Sequence, residues 1–322
     1  MDDCPQIIGG SGFIGTSISK QYAKDNQEFL VIDKKPPSLS KYKFIKIDIT
    51  DKTKFLAKRN QGSIINLAAE HRDDVTPKSL YYLTNVDGAR NVCEYATLNK
   101  CKKIIFTSSV AVYGIENRNV SESDPAKPFN DYGKSKLSAE EVYMNWQKEK
   151  PLERTVVLIR PTVVFGEGNR GNVYNLFNFI MNGRFMMIGD GKNVKSIAYV
   201  ENISKFIRSC VDEKPGVHIY NYVDKPDLTM RELVNTINEL KRKKGKIRNI
   251  PYFIAFSIGV FFDSLAYMFP IKPIITSIRI KKFCANSQFN TSINNNKFRR
   301  DYSLKEAIKK TIRYDFKDKC VN

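Results

Sequence analysis

Three glycines at a fixed spacing follow the first apolar segment of the chain and constrain its fold more than any other feature. Gln6-Ile7-Ile8 predicts a short buried strand, the turn Gly9-Gly-Ser-Gly-Phe-Ile-Gly15 follows, and the residues from Phe13 to Asp25 predict a helix. Glycines at this spacing allow a tight turn, close approach of the backbone to a pyrophosphate, and close packing of the helix on the strand. The amides at the helix N-terminus would bind that pyrophosphate.

A second predicted strand, residues 28–33, ends in an acid where a dinucleotide-binding fold requires one. The Asp33 carboxylate would hydrogen-bond the ribose 2′-OH of the adenosine and repel a 2′-phosphate, which favours NAD over NADP. Lys34 and Lys35 follow directly and could soften that repulsion. Strand, glycine turn, helix, strand and terminal acid in this order predict an α/β fold, a doubly wound parallel sheet of the Rossmann type.

A third strand is predicted for residues 44–48. Its end places Asp48 and Ile49 where the adenine of a dinucleotide would lie. The alternative is that Asp48 caps a helix that begins near Asp51, since aspartate is a favoured N-cap residue.

Tyr132 and Lys136 are four residues apart in the segment Asp131-Tyr-Gly-Lys-Ser-Lys136. On a helix this spacing puts both side chains on one face. An ammonium beside a phenol favours the phenolate, so the tyrosine could take a proton well below its usual pKa of about 10. The spacing alone is also typical of an amphipathic surface helix. The glycine turn, and the serine pair Ser108-Ser109 between the two motifs, favour the chemical interpretation.

Taken together, these motifs resemble the extended short-chain dehydrogenase/reductase family, which contains NAD-dependent nucleotide-sugar epimerases and dehydratases. The resemblance covers nearly the whole chain, and its further motifs are Asn66-Leu-Ala-Ala69, Asn85-Val86, Phe106-Thr-Ser-Ser-Val-Ala-Val-Tyr-Gly114 and Arg160-Pro161. In this family the active-site hydroxyl lies three residues before the valine of Val-Tyr-Gly, which implies Ser109 and leaves Ser108 as a supporting residue. A dehydratase would carry Asp-Glu where this chain has Val110 and Ala111.

The resemblance implies the following site residues, with NAD as the cofactor and no metal. The catalytic residues would be Ser109, Tyr132 and Lys136. Cofactor contacts would come from Gly9, Ser11, Gly12, Phe13, Ile14, Gly15, Asp33, Asp48, Ile49, Leu67, Ala68, Ala69, Asn85, Tyr132, Lys136 and Pro161. Substrate contacts would come from His71, Ser109, Asn172 and Lys195. For His71 a simple charged loop is a close alternative, because Glu70 and Arg72 flank it.

One group within the family shares more of the sequence. The strings Ala69-Glu-His-Arg-Asp-Asp-Val75, Gly171-Asn-Val-Tyr-Asn-Leu176, Lys195-Ser-Ile-Ala-Tyr-Val200, Tyr220-Asn-Tyr-Val-Asp-Lys-Pro-Asp-Leu228 and Lys281-Lys-Phe-Cys284 are similar to those of bacterial epimerases acting on N-acetylglucosaminyl-diphospho-undecaprenol. These enzymes invert C4 of a lipid-linked sugar during surface polysaccharide (O-antigen) synthesis. The resemblance implies that reaction here. The alternative is a soluble UDP-glucose or UDP-N-acetylglucosamine 4-epimerase, which shares all the catalytic residues.

Positive charge is concentrated towards the C-terminus. The chain has a net charge of +19, and residues 241–310 hold 16 basic and 3 acidic side chains. No zinc-finger spacing, RRM signature or Arg-rich repeat is present, so nucleic acid is not the expected partner. Six scattered cysteines without a Cys-x-x-Cys pair indicate neither a disulfide framework nor a zinc site. A lysine-rich but merely solvated surface is the alternative explanation for part of the charge.

An apolar segment interrupts this basic region from Pro251 to Phe262 and resumes after Asp263 and Ser264. It is short for a membrane span, which needs about 20 apolar residues, and Asp263 would be costly near mid-bilayer. A buried core helix is one alternative. We favour an interfacial helix on an anionic membrane. Its flanking cations are Lys241, Arg242, Lys243, Lys244, Lys246, Arg248, Lys272, Arg279, Lys281 and Lys282.

These observations predict two regions. Residues 1–165 would form the NAD-binding domain with the catalytic side chains. Residues 166–322 would form an interleaved substrate-capping region, with a basic apolar membrane-associating segment near 241–290. The N-terminus enters the first strand directly, so we expect no signal peptide and a peripheral location on the cytoplasmic face of the inner membrane, or otherwise in the cytoplasm. The family's habit suggests a homodimer through helices near 85–98 and 131–149.

Overall fold

Seven parallel strands with helices on both faces form the body of the protein. The computed structural model describes residues 4–39, 42–72, 75–114, 119–242, 245, 247–268, 276–293 and 298–320. The strands are β1 Gln6–Ile8, β2 Leu30–Asp33, β3 Phe44–Lys46, β4 Ile64–Asn66, β5 Lys103–Thr107, β6 Thr155–Pro161, β7 Val163–Phe165, β8 Met186–Ile188, β9 Val194–Lys195, β10 Ile197–Tyr199, β11 Gly216–Tyr222, β12 Leu228–Thr229 and β13 Arg248–Ile250.

The helices alternate with these strands over most of the chain. They are α1 Phe13–Lys24, α2 Lys52–Leu56, α3 Ser79–Tyr82, α4 Gly88–Leu98, α5 Asp131–Lys148, α6 Asn172–Met181, α7 Val200–Ser209, α8 Met230–Glu239, α9 Tyr252–Met268, α10 Ser277–Cys284 and α11 Leu304–Asp315. A π-helical turn, Leu83–Asp87, joins α3 to α4. Short 3₁₀ turns cover Val110–Tyr113, Cys210–Asp212 and Lys317–Lys319.

The main sheet has the strand order β11-β6-β5-β4-β1-β2-β3. The order reverses at β1, which pairs in parallel with β2 on one side and with β4 on the other. Open parallel sheets bind ligands at such a switch point, beyond the carboxyl ends of the strands. The predicted doubly wound fold is confirmed. The seventh strand, β11, comes from the second half of the chain.

Buried clusters lie on both faces of the sheet. One cluster joins the sheet to α2, α4 and α5, and includes Phe55, Tyr95 and Tyr143. The cluster on the other face joins the sheet to α1 and α7. Because both faces are covered, β6 is buried along its whole length. A separate cluster from α6, α8 and α11 forms the core of the C-terminal region.

The third strand is shorter than predicted. β3 ends at Lys46, and Asp48 lies two residues beyond it. The Asp48 Oδ1 atom accepts hydrogen bonds from the Thr50 backbone N at 3.0 Å and the Thr50 Oγ1 at 2.9 Å. α2 is capped by Asp51, whose side chain accepts from the Lys54 amide. The alternative that Asp48 caps this helix was therefore wrong, because Asp48 closes the turn before it.

The apolar segment forms a helical hairpin. α9 runs through Asp263 to Met268, and α10 packs against it. Within α9, every residue of which is described, only Ala255 and Gly259 are buried. The alternative of a buried core helix was wrong for this chain, because the other α9 side chains lie wholly or partly in solvent. No helix in the described ranges is long and apolar enough to cross a membrane.

Lys241 does not belong with the flanking cations of this segment. It is buried, and its Nζ donates to the Ile180 carbonyl at the end of α6, at 3.1 Å. Arg242 is tied to the C-terminus through a 2.6 Å bond from its Nε to the Cys320 carbonyl. The expectation that Lys241 meets lipid is thus wrong, because its ammonium caps a helix. Lys243, Lys244, Lys246 and Lys272 lie outside the described residues.

Candidate active site

The backbone packs so closely in the glycine turn that no side chain fits at Gly9 or Gly15. Gly9 has φ +76°, and a Cβ at this position would lie 2.6 Å from the Ala68 backbone N, on the loop after β4. A Cβ on Gly15 would lie 2.5 Å from the Gly10 Cα. Gly12 is the N-cap of α1 and has no side chain to cover the first amides of the helix. These features fit the pyrophosphate of a dinucleotide.

Gly9→Ala should abolish dinucleotide binding, because the added Cβ would clash with the backbone of Ala68. Alanine tolerates positive φ poorly, at a cost of about 1–2 kcal/mol, and its Cβ would also push the turn away from Ala68. We expect the purified variant to contain little or no NAD and to be destabilised. Gly189→Ala is the matched control, since Gly189 has φ +72° and nothing within 4 Å of its Cβ position. Wild-type NAD content in Gly9→Ala would contradict the assignment of the turn.

Asp33 fixes the geometry at the end of β2. Its Oδ2 accepts the Ser11 amide and its Oδ1 accepts the Lys35 amide, both at 3.0 Å. The Ser11 hydroxyl donates to the Lys35 carbonyl at 2.7 Å. The carboxylate thus joins the second strand to the glycine turn at the switch point. The Lys34 Nζ lies 3.7 Å from the Asp48 Oδ2, and this ion pair partly offsets the positive charge of Lys34.

The remaining cofactor candidates surround the same edge of the sheet. Phe13 and Ile14 open α1 and pack partly against the C-terminal cluster. Leu67, Ala68 and Ala69 follow β4 and are half-buried. Pro161 ends β6 in a buried position. Ile49 is buried in the cluster between the sheet and α4, whereas Asp48 is half-buried.

Asn85 connects the loop after β4 to α5. Its Oδ1 accepts the Glu70 amide at 2.9 Å, and its Nδ2 donates to the Glu70 carbonyl at 3.1 Å and to the Ser135 hydroxyl at 2.9 Å. It lies in the π-helical turn, not at the start of a regular helix as expected. Such a turn re-aims one residue, and here it directs a buried amide at two backbone groups.

Lys136 lies inside the protein. Its side chain is 1% exposed, and its Nζ donates to the Thr107 carbonyl at the end of β5, at 2.6 Å. The Nζ also lies 4.2 Å from the centre of the Phe106 ring. Burial lowers the pKa of this ammonium to about 7, although the nearby Glu140 carboxylate opposes the change. Its charge can therefore respond to a ligand near neutral pH. Tyr132 is half-buried one helical turn before it.

Ser109 is held beside the start of α5. Its Oγ accepts the Ala111 amide at 3.1 Å and caps the 3₁₀ turn that follows β5. A Cβ on Gly133 would lie 2.5 Å from the Ala111 carbonyl oxygen, so α5 packs closely on this turn. Since Lys136 reaches Thr107 from the same helix, Ser109, Tyr132 and Lys136 share the carboxyl edge of β5. Ser108 is buried, and its Oγ has no partner within the described ranges.

A buried charged network supports this arrangement. Its members Arg160, Tyr113 and Asn221 lie in segments that carry the family resemblance. Glu140, the partner of Arg160, lies outside those segments. Arg160 donates to both carboxylate oxygens of Glu140, at 2.9 and 2.6 Å, and to the Tyr113 hydroxyl at 2.7 Å. Tyr113, which ends the 3₁₀ turn, donates to the Asn221 Oδ1 at 2.8 Å. The network joins α5, β6 and β11 to the 3₁₀ turn Val110–Tyr113. Ser109 caps this turn, which we call the serine turn. The sequence signal for this network is an arginine within an otherwise apolar strand, because a buried guanidinium requires an acidic partner.

Besides Ser109, the predicted substrate residues lie on three separate segments. His71 is exposed in the loop after β4, where its amide donates to the Glu70 carboxylate at 3.1 Å. Asn172 is exposed at the start of α6. Lys195 is half-buried in β9, and its Nζ donates to the Lys282 carbonyl of α10 at 2.9 Å. Burial lowers the pKa of Lys195. Contact of all three with substrate stays a prediction.

The arrangement of the glycine turn, Asp33 and the buried Lys136 fits a dinucleotide-binding enzyme. The model of the NAD-dependent epimerase/dehydratase family matches residues 6–222. An Escherichia coli O157:H7 relative, N-acetyl-α-D-glucosaminyl-diphospho-ditrans,octacis-undecaprenol 4-epimerase, is 43% identical over 98% of this chain and 96% of its own. The chain therefore belongs to the NAD-dependent epimerase/dehydratase family. The predicted family and the predicted cofactor, NAD, are confirmed.

Solved structures show the same fold at low sequence identity. A Bacillus cereus UDP-N-acetylglucosamine 4-epimerase matches with a TM-score of 0.76 and 16% identity, over 98% of this chain and all of that chain. MoeE5 in complex with UDP-glucose and NAD matches with a TM-score of 0.75 and 18% identity, over 98% of this chain and 99% of that chain.

Proposed function

We propose that the protein is an NAD-dependent 4-epimerase that interconverts N-acetylglucosaminyl- and N-acetylgalactosaminyl-diphospho-undecaprenol in surface polysaccharide (O-antigen) biosynthesis. The observation that carries the proposal is 43% identity, over 98% of the chain, to an enzyme with this substrate in its name. The site supports it, because a candidate base, its cation and a hydroxyl donor share one edge of the sheet. Epimerisation through a 4-keto sugar needs those three groups and a bound redox cofactor.

Each catalytic side chain has one role in this reaction. The Tyr132 phenolate takes the proton of the sugar O4, while the Lys136 ammonium stabilises the phenolate charge. The Ser109 hydroxyl donates to the same oxygen and holds it in place. NAD, held by the glycine turn and Asp33, would supply the hydride acceptor for C4 and the hydride donor for the opposite face of the sugar. Between the two hydride transfers the 4-keto sugar turns about its diphosphate link. Tyr132 gives the proton back to O4 as the hydride returns to C4.

The substrate-binding residues follow from the same proposal. Lys195 would contact the diphosphate as a point charge. His71 and Asn172 would contact the sugar or its phosphates from the loop after β4 and the start of α6. Residues 1–165 would bind NAD and hold the catalytic groups, and residues 166–322 would cap the substrate. The enzyme would work as a peripheral protein on the cytoplasmic face of the inner membrane.

A soluble UDP-sugar 4-epimerase is the second candidate, and its site chemistry is the same. The observation against it is the exposed apolar hairpin of α9 and α10, which a soluble substrate does not require. A 4,6-dehydratase is disfavoured because Val110 and Ala111 stand where its acidic pair would be.

A paired turnover assay tests the proposal. The purified protein with its own NAD is given N-acetylglucosaminyl-diphospho-undecaprenol in one reaction and UDP-N-acetylglucosamine in the other. The C4 configuration of each product is then resolved. We expect conversion of the lipid-linked sugar and little conversion of the UDP-sugar. Conversion of the UDP-sugar alone would contradict the substrate assignment and leave the catalytic roles intact.

A further inference from the structure

The surface of α9 is unusually apolar for a water-facing helix. Its side chains include Phe253, Phe261, Tyr267 and Met268, which are 68%, 61%, 95% and 70% exposed. Among the described residues, none of the side chains of α9 belongs to the three buried clusters described above or to a fourth, smaller one around Val112 and Tyr113. A continuous exposed apolar surface of this kind marks an interaction site.

The hairpin is a built structure. A Cβ on Gly259 would lie 2.7 Å from the Ser277 backbone N, so glycine lets the two helices approach closely. The Asp263 Oδ2 accepts the Ser277 amide at 3.0 Å, and the Thr276 hydroxyl accepts the Arg279 amide at 3.2 Å. Asp263 thus caps α10. This explains an acid within an apolar segment, because its charge is used inside the hairpin at a helix N-terminus.

Positive charge accompanies the apolar surface. Arg279 and Lys281 are exposed on α10, beside Ile278, which is 62% exposed. Arg248 is exposed shortly before α9. Aromatic and aliphatic side chains together with arginine and lysine suit the boundary between anionic headgroups and acyl chains. A second protein copy would place like charges against each other, so a bilayer is the better complement.

The base of the hairpin is bonded to the segment that carries Lys195. Five hydrogen bonds of 2.8–3.0 Å join residues 193–196 to residues 282–287. They run from Asn193 Nδ2 to Phe283 O, Val194 N to Asn286 Oδ1, Lys195 Nζ to Lys282 O, Ser196 N to Ser287 O, and Ser287 N to Val194 O. The Lys282 Nζ also lies 5.4 Å from the centre of the Phe129 ring, close before α5.

From these contacts we infer that the α9–α10 hairpin inserts into the surface of an anionic bilayer and holds segment 193–196 at the membrane plane. The substrate consequence rests on the proposed function. A diphosphate at the headgroup level would then meet the site while its lipid stays in the membrane. The hairpin therefore makes the enzyme efficient on embedded substrate without taking part in the chemistry.

Sedimentation with vesicles tests the insertion. The full-length Phe253→Ser/Phe261→Ser variant should bind phosphatidylglycerol-rich vesicles at least about a hundredfold more weakly than wild type, since each of the two buried phenylalanines contributes roughly 1.5 kcal/mol or more and about 1.4 kcal/mol corresponds to tenfold. Arg279→Gln/Lys281→Gln should weaken binding about thirtyfold, and only at low salt, since each cation near an anionic surface contributes about 1 kcal/mol. Leu152→Ser is the matched apolar control, because Leu152 is 89% exposed and is not part of the hairpin. Lys214→Gln/Lys305→Gln is the matched charge control, since both lysines are exposed elsewhere.

Two outcomes would overturn the inference. One is equal vesicle binding by the hairpin variants, the controls and wild type. The other is a change of oligomeric state in light scattering with no vesicle binding by wild type, which would assign the apolar face to a second copy. Circular dichroism and thermal unfolding check that the variants fold. If the double phenylalanine variant does not fold, Tyr267→Ser replaces it in the vesicle assay.

Turnover separates this inference from the proposed function. For vesicle-embedded N-acetylglucosaminyl-diphospho-undecaprenol, each hairpin variant should raise the apparent KM by at least about tenfold, because its binding to the vesicles is weaker. They should leave turnover of a short-chain, water-soluble prenyl analogue unchanged. An equal loss on both substrates would contradict a docking role. If wild type converts neither substrate, the proposed function fails, whereas the vesicle result still stands or falls by itself.

Discussion

Tyr132→Phe should reduce turnover at least about a thousandfold, within the range attributed to a positioned acid–base group. The substitution removes one hydroxyl and keeps the ring, which packs 6.2 Å from the Tyr81 ring centre. Lys136 keeps its bond to Thr107, so the site around it should not change. We therefore expect wild-type NAD content and wild-type stability together with almost no product, as measured by single-turnover product formation.

Tyr82→Phe provides the matched control for this prediction. Tyr82 lies in α3, and its hydroxyl donates to Asp131 at 3.5 Å, directly before Tyr132 in the chain. Loss of this exposed hydroxyl should change turnover less than about threefold, because a long surface hydrogen bond contributes little. Wild-type-like activity in Tyr132→Phe would remove the phenolate from the mechanism. A loss in both variants would indicate that the local structure, and not proton transfer, was disturbed.

Arg160→Met should cost about 3–5 kcal/mol of unfolding free energy, the range for breaking a buried ion pair. The side chain of Arg160 is 7% exposed and that of Glu140 is 0% exposed. The substitution leaves the Glu140 carboxylate without its main partner and releases the Tyr113 hydroxyl at the serine turn. We therefore expect lower turnover as well as lower stability. Chemical denaturation, followed by fluorescence and circular dichroism, gives the unfolding free energy.

Two further variants make this prediction decisive. Glu140→Gln/Arg160→Met removes both charges and should recover part of the lost stability, because Glu140 no longer leaves an unpaired buried carboxylate. Lys52→Met breaks an exposed pair, with Lys52 Nζ 2.7 Å from Glu94 Oε2, and should cost less than about 1 kcal/mol. A cost this small in Arg160→Met would show that the buried network does not stabilise the fold. If Arg160→Met does not fold, recovery in the double variant carries the test.

The cofactor turn and the catalytic helix could be predicted from sequence because their geometry is local. Gly9, Gly12 and Gly15 act within one short segment, and Tyr132 and Lys136 lie on adjacent turns of one helix. Backbone geometry sets such spacings before the chain folds. Strand boundaries were less predictable, since β3 stops where Asp48 bends back to Thr50.

Residues whose partners are distant in the chain could not be assigned in advance. Lys241 was expected at the lipid surface but caps α6, and Asp263 caps α10. Both side chains are charged, and from sequence alone a charged side chain is expected to face solvent or lipid headgroups. Only the folded chain shows which carbonyl or amide a charged side chain can reach.

By itself, the sequence determined the dinucleotide turn, the Tyr132–Lys136 pair and the family, because each depends on residues close together in the chain. The tertiary structure alone decided that Arg160 pairs with Glu140, that β11 completes the sheet, and that the hairpin is bonded to segment 193–196. These contacts join residues from 20 to over 80 positions apart. Such contacts follow from how the elements pack, which no local spacing encodes.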